Sequence, residues 1–277
     1  MRFISFLRAD GSASWGRLEG DTVIDLGAHA ADLRAGIAAD LLAAPLSGPV
    51  LARAAVVLLP VIPNPGKILC VGLNYASHVA ETGREQKDHP AIFHRWADSL
   101  VADGAALVHP PETARFDYEG ELAVVIGKAG RRIAAAHAWD HVAGFAPFND
   151  GSIRDWQRHN IQFTPGKTWP ATGGFGPALV TRDEVPDLGS QRVQTHVNGQ
   201  LVQDQPVSDL IWDIPAVIAY CSTFTALAPG DVIATGTPGG VGDKRTPPLY
   251  LQPGDTVTVS IGVIGTLTNP VIAETQG

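Results

Sequence analysis

The chain has 277 residues, 45% hydrophobic and 17% charged, with a formal net charge of −8. That length holds one large domain, or a small domain plus a large one. The charge argues against nucleic acid or an anionic membrane as the main partner, and no apolar run reaches the ~18 residues that span a bilayer.

Phe3-Ile4-Ser5-Phe6 and Thr22-Val23-Ile24-Asp25-Leu26 read as short strands, with Gly16 and Gly20 in the turn region between them. Ala30 to Ala44, rich in alanine and leucine, reads as a helix. Pro60-Val61-Ile62-Pro63-Asn64-Pro65-Gly66 marks a boundary, giving a small N-terminal α/β appendage (1–62) and a larger domain (63–277). Further strands are expected at Lys67–Gly72, Glu121–Gly127, Val142–Ala146, Ala178–Thr181, Val193–Val197, Asp231–Thr235 and Asp255–Ile261. Asn198-Gly199 signals a hairpin. Helices are expected at Ala76–Thr82, Ala134–His141 and Ile214–Thr223. Strands without regular βαβ alternation make a strand-rich α+β class. Cys70 and Cys221 sit in apolar stretches and read as small buried hydrophobes. With no signal peptide at Met1–Phe6, they fit a reducing cytoplasm.

Three acids carry the chemistry. In Asp117-Tyr118-Glu119-Gly120-Glu121 the two glutamates lie two residues apart at the start of a strand, so they project to one side. Neighbouring carboxylates repel unless one is protonated or a cation lies between them. A magnesium ion, which prefers carboxylate and water oxygens, would resolve the repulsion. Two solvent-facing glutamates would look the same in isolation. Asp150 follows the apolar stretch Val142–Ala146, where it is either a third ligand or a helix N-cap.

Taken together, the motifs resemble the fumarylacetoacetate hydrolase family, in its acylpyruvase-like or 2-hydroxyhepta-2,4-diene-1,7-dioate isomerase-like branch. They are the strand Tyr118–Gly127, Asn149-Asp150 with Ser152, Arg154, Asp155 and Gln157, the segment Gly72–Glu81, Gly166-Lys167, and Pro229–Ile233 followed by Thr235–Pro238. The resemblance implies a mixed β-sheet roll, a homodimer and a small 2-oxo acid substrate. It implies Glu119, Glu121 and Asp150 as ligands of magnesium, with manganese as the alternative. His78 and Glu81 become the catalytic pair and Lys167 a substrate contact, with Arg154, Gln157, Gly236 and Thr237 around the substrate. Gly151 and Arg95-Trp96 depart from the family pattern and put the exact substrate in doubt.

The residue types suit cleavage of a carbon–carbon bond in a 2,4-dioxo acid such as an acylpyruvate. Magnesium would stabilise the departing enolate, and His78, oriented by Glu81 one helical turn away, would activate water. Lys167 offers a point charge and Arg154 a planar fork for carboxylates. The same site would serve an oxaloacetate-type decarboxylase or an isomerase or hydratase of an unsaturated 2-oxo acid. A non-catalytic homologue is the remaining alternative. The polar segment Thr82 to Pro90 is expected to act as a lid.

Overall fold

The computed structural model describes residues 1–83 and 88–275. The fold is strand-rich α+β, and its largest sheet organises everything else. In spatial order that sheet runs Val50–Ala52, Thr22–Asp25, Ala13–Glu19, Arg2–Leu7, Leu179–Thr181, Val142–Asn149, Gly120–Ile126, Val232–Ala234, Ile68–Gly72 and Ala91–His94. It is mixed: Val232–Ala234 pairs antiparallel with Gly120–Ile126 and parallel with Ile68–Gly72. The ladder crosses residue 62 without interruption, because Arg2–Leu7 pairs with Leu179–Thr181.

A second sheet, Gln200–Pro206, Arg192–Val197, Thr256–Ile261, Gly265–Ala273 and Leu107–His109, packs against the first. Gly120–Ile126 is buried on both faces, which explains its unbroken apolar run. Leu122, Val124 and Ile126 meet Val193, Val259 and Ile261 of the second sheet and Ile218 of the helix Ile214–Phe224. Ala123 and Val125 face the other way, into a core shared with Phe3, Trp15 and Leu33.

Most expected elements form, with four informative differences. Gly16 lies inside the strand Ala13–Glu19, not in a turn, because a Cβ there would sit 2.3 Å from the carbonyl oxygen of Ile24. The helix expected over Ala30–Ala44 shrinks to Leu33–Ala38: Asp32 caps its start, and Asp40 turns to a φ of 56° just beyond its end. Ala135–His141 winds as a 3₁₀ helix. Gly265–Ala273 is a strand that sequence patterning misses, because Pro270 reads as a breaker. Pro270 stands where pairing with Thr256–Ile261 ends and pairing with Leu107–His109 begins. Asn198 and Gly199 make the expected hairpin, both with positive φ. Both cysteines are buried, and burial pushes the Cys221 thiol up to about 12. Among the described residues, no helix is long and apolar enough to cross a membrane.

Gly120, between the two glutamates, is fixed by the second sheet. A Cβ there would lie 2.0 Å from Thr195 Oγ1, a buried hydroxyl with no hydrogen-bond partner among the described residues. Gly120→Ala should therefore destabilise the protein by about 1–3 kcal/mol through overpacking. Adding Thr195→Gly should return most of the lost stability. Equal melting temperatures for Gly120→Ala with and without the second change would contradict this packing.

Candidate active site

Four neighbouring strands bring the site together at one end of the main sheet. Gly120 is in register with Asn149, so Glu119 and Asp150 follow as neighbours, joined by Asp150 N–H donating to Glu119 O at 2.8 Å. Asn149 Oδ1 accepts from Glu119 N–H at 3.0 Å, tightening the junction. Beside them, Thr235 to Thr237 continue from Val232–Ala234. Thr235 N–H donates to Leu122 O, Gly236 N–H to Glu121 Oε2 at 2.9 Å, and the Thr237 hydroxyl to Gly120 O. Next comes Ile68–Gly72, which leads through Asn74 into the helix Ala76–Thr82 carrying His78 and Glu81. Asn74 anchors that entry by donating to Thr235 O and Trp212 O.

Carboxylate oxygens of Glu119, Glu121 and Asp150 come within 4.8 Å of one another, and all three residues are buried. Asp150 is not a helix cap: the helix Arg154–Gln157 begins after Ile153, without a side-chain cap. Its carboxylate is held by two cations instead. Lys167 Nζ donates to Asp150 Oδ2 at 2.5 Å and to Glu119 Oε2 at 2.7 Å. Arg95 Nη1 donates to Asp150 Oδ1 at 2.7 Å. Arg154 bridges Glu119 Oε1 and Asp117 Oδ2, each at 2.7 Å, and also reaches Gln157 Oε1. Lys167 follows the 3₁₀ turn Thr164–Gly166, and its ammonium lies 5.1 Å from the centre of the Phe93 ring.

The electrostatics split the acids. Burial alone would raise the Glu119 carboxyl, but Lys167 and Arg154 overcome it and hold the group at about 2. Burial first, then repulsion from Asp150 and Glu119, pushes Glu121 well above the usual carboxylate range. A cation among the three acids would relieve that repulsion. Their all-oxygen donor set suits a hard divalent ion, so the cluster fits a metal ion and these residues can hold one.

His78 shares a cavity of about 450 Å³ with Glu119, Glu121, Lys167 and Arg154. Its Nδ1–H donates to Glu81 Oε2 at 3.2 Å, which leaves Nε2 as the basic nitrogen. Glu81 in turn accepts the Gly240 N–H at 3.0 and 3.1 Å. Gln157 and Thr237 also line the cavity. The Thr237 hydroxyl, already donating to Gly120 O, accepts from Gln203 Nε2, and the Gly236 N–H is spent on Glu121. Of the segment expected as a lid, residues 84–87 lie outside the described residues.

Sequence reading missed several supports. Asp117 accepts from the N–H groups of Gly242 and Asp243 as well as from Arg154, and so locks the arginine. Gln203 accepts from Gly120 N–H and donates to Pro238 O. Arg95 registered only as a departure from a pattern. Asp117 was readable as the next member of the alternation Asp117, Glu119, Glu121, whereas Gln203 left no local signal.

Residues 67–272 match the family model described as fumarylacetoacetate (FAA) hydrolase C-terminal. Human oxaloacetate tautomerase FAHD2A, mitochondrial, is 42% identical over 226 residues, covering 81% of this chain and 72% of that protein. Oxaloacetate tautomerase YisK of Bacillus subtilis (strain 168) is 42% identical over 214 residues, covering 76% and 71%. The solved structure of a fumarylacetoacetate hydrolase (EaFAH) from psychrophilic Exiguobacterium antarcticum superposes with a TM-score of 0.89 at 35% identity, covering 99% of this chain and 100% of that one. A family match over most of the chain, reinforced by these relatives, establishes that the chain belongs to the fumarylacetoacetate hydrolase family.

Proposed function

We propose that this protein is a magnesium-dependent enzyme that interconverts the keto and enol forms of an oxaloacetate-like 2-oxo acid. One observation carries the reading: Glu119 and Glu121 of the buried carboxylate triad and the imidazole of His78, oriented through Glu81, line the same cavity, with Asp150 behind them. The two relatives named oxaloacetate tautomerases favour this reaction over others open to such a site.

When bound, a divalent ion supplies Lewis-acid stabilisation of negative charge on the oxo oxygen. The protein does the rest. Arg154 Nη2 is buried with no hydrogen-bond partner among the described residues, and the residue lines the cavity, so it is a ready donor to the substrate carboxylate. His78 Nε2 removes the proton from the carbon beside the oxo group. The electron pair of that C–H bond becomes the new carbon–carbon double bond, the carbonyl π pair moves onto the oxo oxygen, which takes a proton from solvent, and His78 releases its own proton to solvent. Glu81 keeps the imidazole oriented and stabilises its cation.

Hydrolysis of a 2,4-dioxo acid is the second reading. The His78–Glu81 pair would also suit activation of water, and the solved Exiguobacterium relative bears a hydrolase name. One panel separates the two: oxaloacetate and 2,4-dioxo acids with added magnesium, followed by ultraviolet loss of enol and by mass spectrometry of products. The tautomerase reading predicts faster equilibration of oxaloacetate without change of mass, stopped by chelation and restored by magnesium. Cleavage of the dioxo acids with no effect on oxaloacetate would replace it.

His78→Ala should lower kcat by about 10²- to 10⁴-fold while leaving magnesium binding intact. A variant with full turnover would remove His78 from the mechanism.

Glu121 allows a test of opposite sign. Its raised value means that its ionised form costs folding free energy: the stabilising share exists at low pH and is lost as pH rises through the folded value. Glu121→Gln should therefore raise the melting temperature of the chelated protein at neutral pH and abolish the further rise that magnesium gives the wild type. A fall in melting temperature with the magnesium effect retained would contradict the assignment.

A further inference from the structure

We propose that Arg95 is a positioning residue for the metal centre, setting the direction in which Asp150 presents its carboxylate, and that Gly151 and Thr172 are shaped around this task. The inference rests on the metal-site reading above.

Arg95 does not line the cavity, and its side chain and that of Asp150 are both 0% exposed. All five of its N–H donors have an acceptor. Nη1 donates to Asp150 Oδ1 and Gly151 O, both at 2.7 Å. Nη2 donates to Thr172 Oγ1 at 3.0 Å and, more weakly, to Ser99 O at 3.4 Å. Nε donates to Ser99 Oγ at 3.1 Å. The accepting hydroxyls are themselves oriented, Ser99 by Trp96 O and Thr172 by Trp169 O. A planar fork with every donor engaged has one orientation.

Asp150 inherits that orientation. Arg95 holds Oδ1 while Lys167 holds Oδ2, so the carboxylate plane is gripped from both ends. The backbone next to it closes on the same network. A Cβ on Gly151 would lie 1.9 Å from Thr172 O, and a Cβ on Gly173 would lie 2.7 Å from Arg95 Nη2. Arg95 and Gly151, the two departures visible in the sequence, therefore meet in space through the Nη1 bond to Gly151 O. A lysine has neither the fork nor the donors to span these acceptors.

The test is calorimetric titration of magnesium into chelated protein, alongside melting temperature and circular dichroism. Arg95→Met should weaken magnesium binding by roughly 10- to 100-fold. Arg95→Lys should recover only part of the loss. Thr172→Val removes one acceptor without touching Asp150 and should weaken binding in the same direction by less, which keeps the test alive if Arg95→Met does not fold. A lower melting temperature with wild-type magnesium affinity in Arg95→Met or Thr172→Val would reduce Arg95 to a structural ion pair and overturn the proposal. Wild-type protein that binds neither magnesium nor manganese would instead sink the metal-site reading on which it stands.

Discussion

The ammonium of Lys167, clamped between Glu119 and Asp150, is the contact on which the site depends. Bringing like-charged carboxylates together in a buried place is expensive, and removing one partner of such a pair costs more than the pair itself contributes. Here four carboxylates, Asp117, Glu119, Glu121 and Asp150, face three cations, Arg95, Arg154 and Lys167. Glu121 is the acid left without a cationic partner, and among the described residues its hydrogen bond comes from a backbone N–H. The protein has thus neutralised its acids almost fully with its own side chains, and has left a deficit of positive charge at the carboxylate nearest the Thr235–Thr237 segment.

That arrangement is cheap to position because the main sheet does the work. Register between Gly120–Ile126 and Val142–Asn149 makes Glu119 and Asp150 neighbours before any side chain is considered. The same sheet delivers the imidazole from the next strand but one, through the connection of Ile68–Gly72 to its helix. Packing on both faces of the central strand resists the sliding that would turn the glutamates away from each other.

The sequence showed the acids, the histidine–glutamate pair and most strands because each is a local pattern: alternation, helical spacing, or an apolar run. It did not show what orients them. Gln203, on a strand of the second sheet, reaches Gly120, Thr237 and Pro238, and nothing within its own neighbourhood marks it. Arg95 sits beside a strand whose other residues read as ordinary, and its importance comes from a partner 55 positions away. Asp150 was ambiguous between ligand and cap until the helix was seen to start without it. Long-range polar contacts of this kind have no periodicity to read.

The short stretch Thr235–Gly240 touches both halves of the site: Gly236 holds Glu121, Thr237 holds the backbone of Gly120, and Gly240 holds Glu81. The acid cluster and the His78–Glu81 pair are consequently hung from a single stretch of backbone, apart from the walls that complete the cavity. Those walls, Phe163, Ile161 and Lys244 among them, belong to other parts of the chain. A change of side chain in those walls leaves every hydrogen bond from this stretch to Glu121, Gly120 and Glu81 in place.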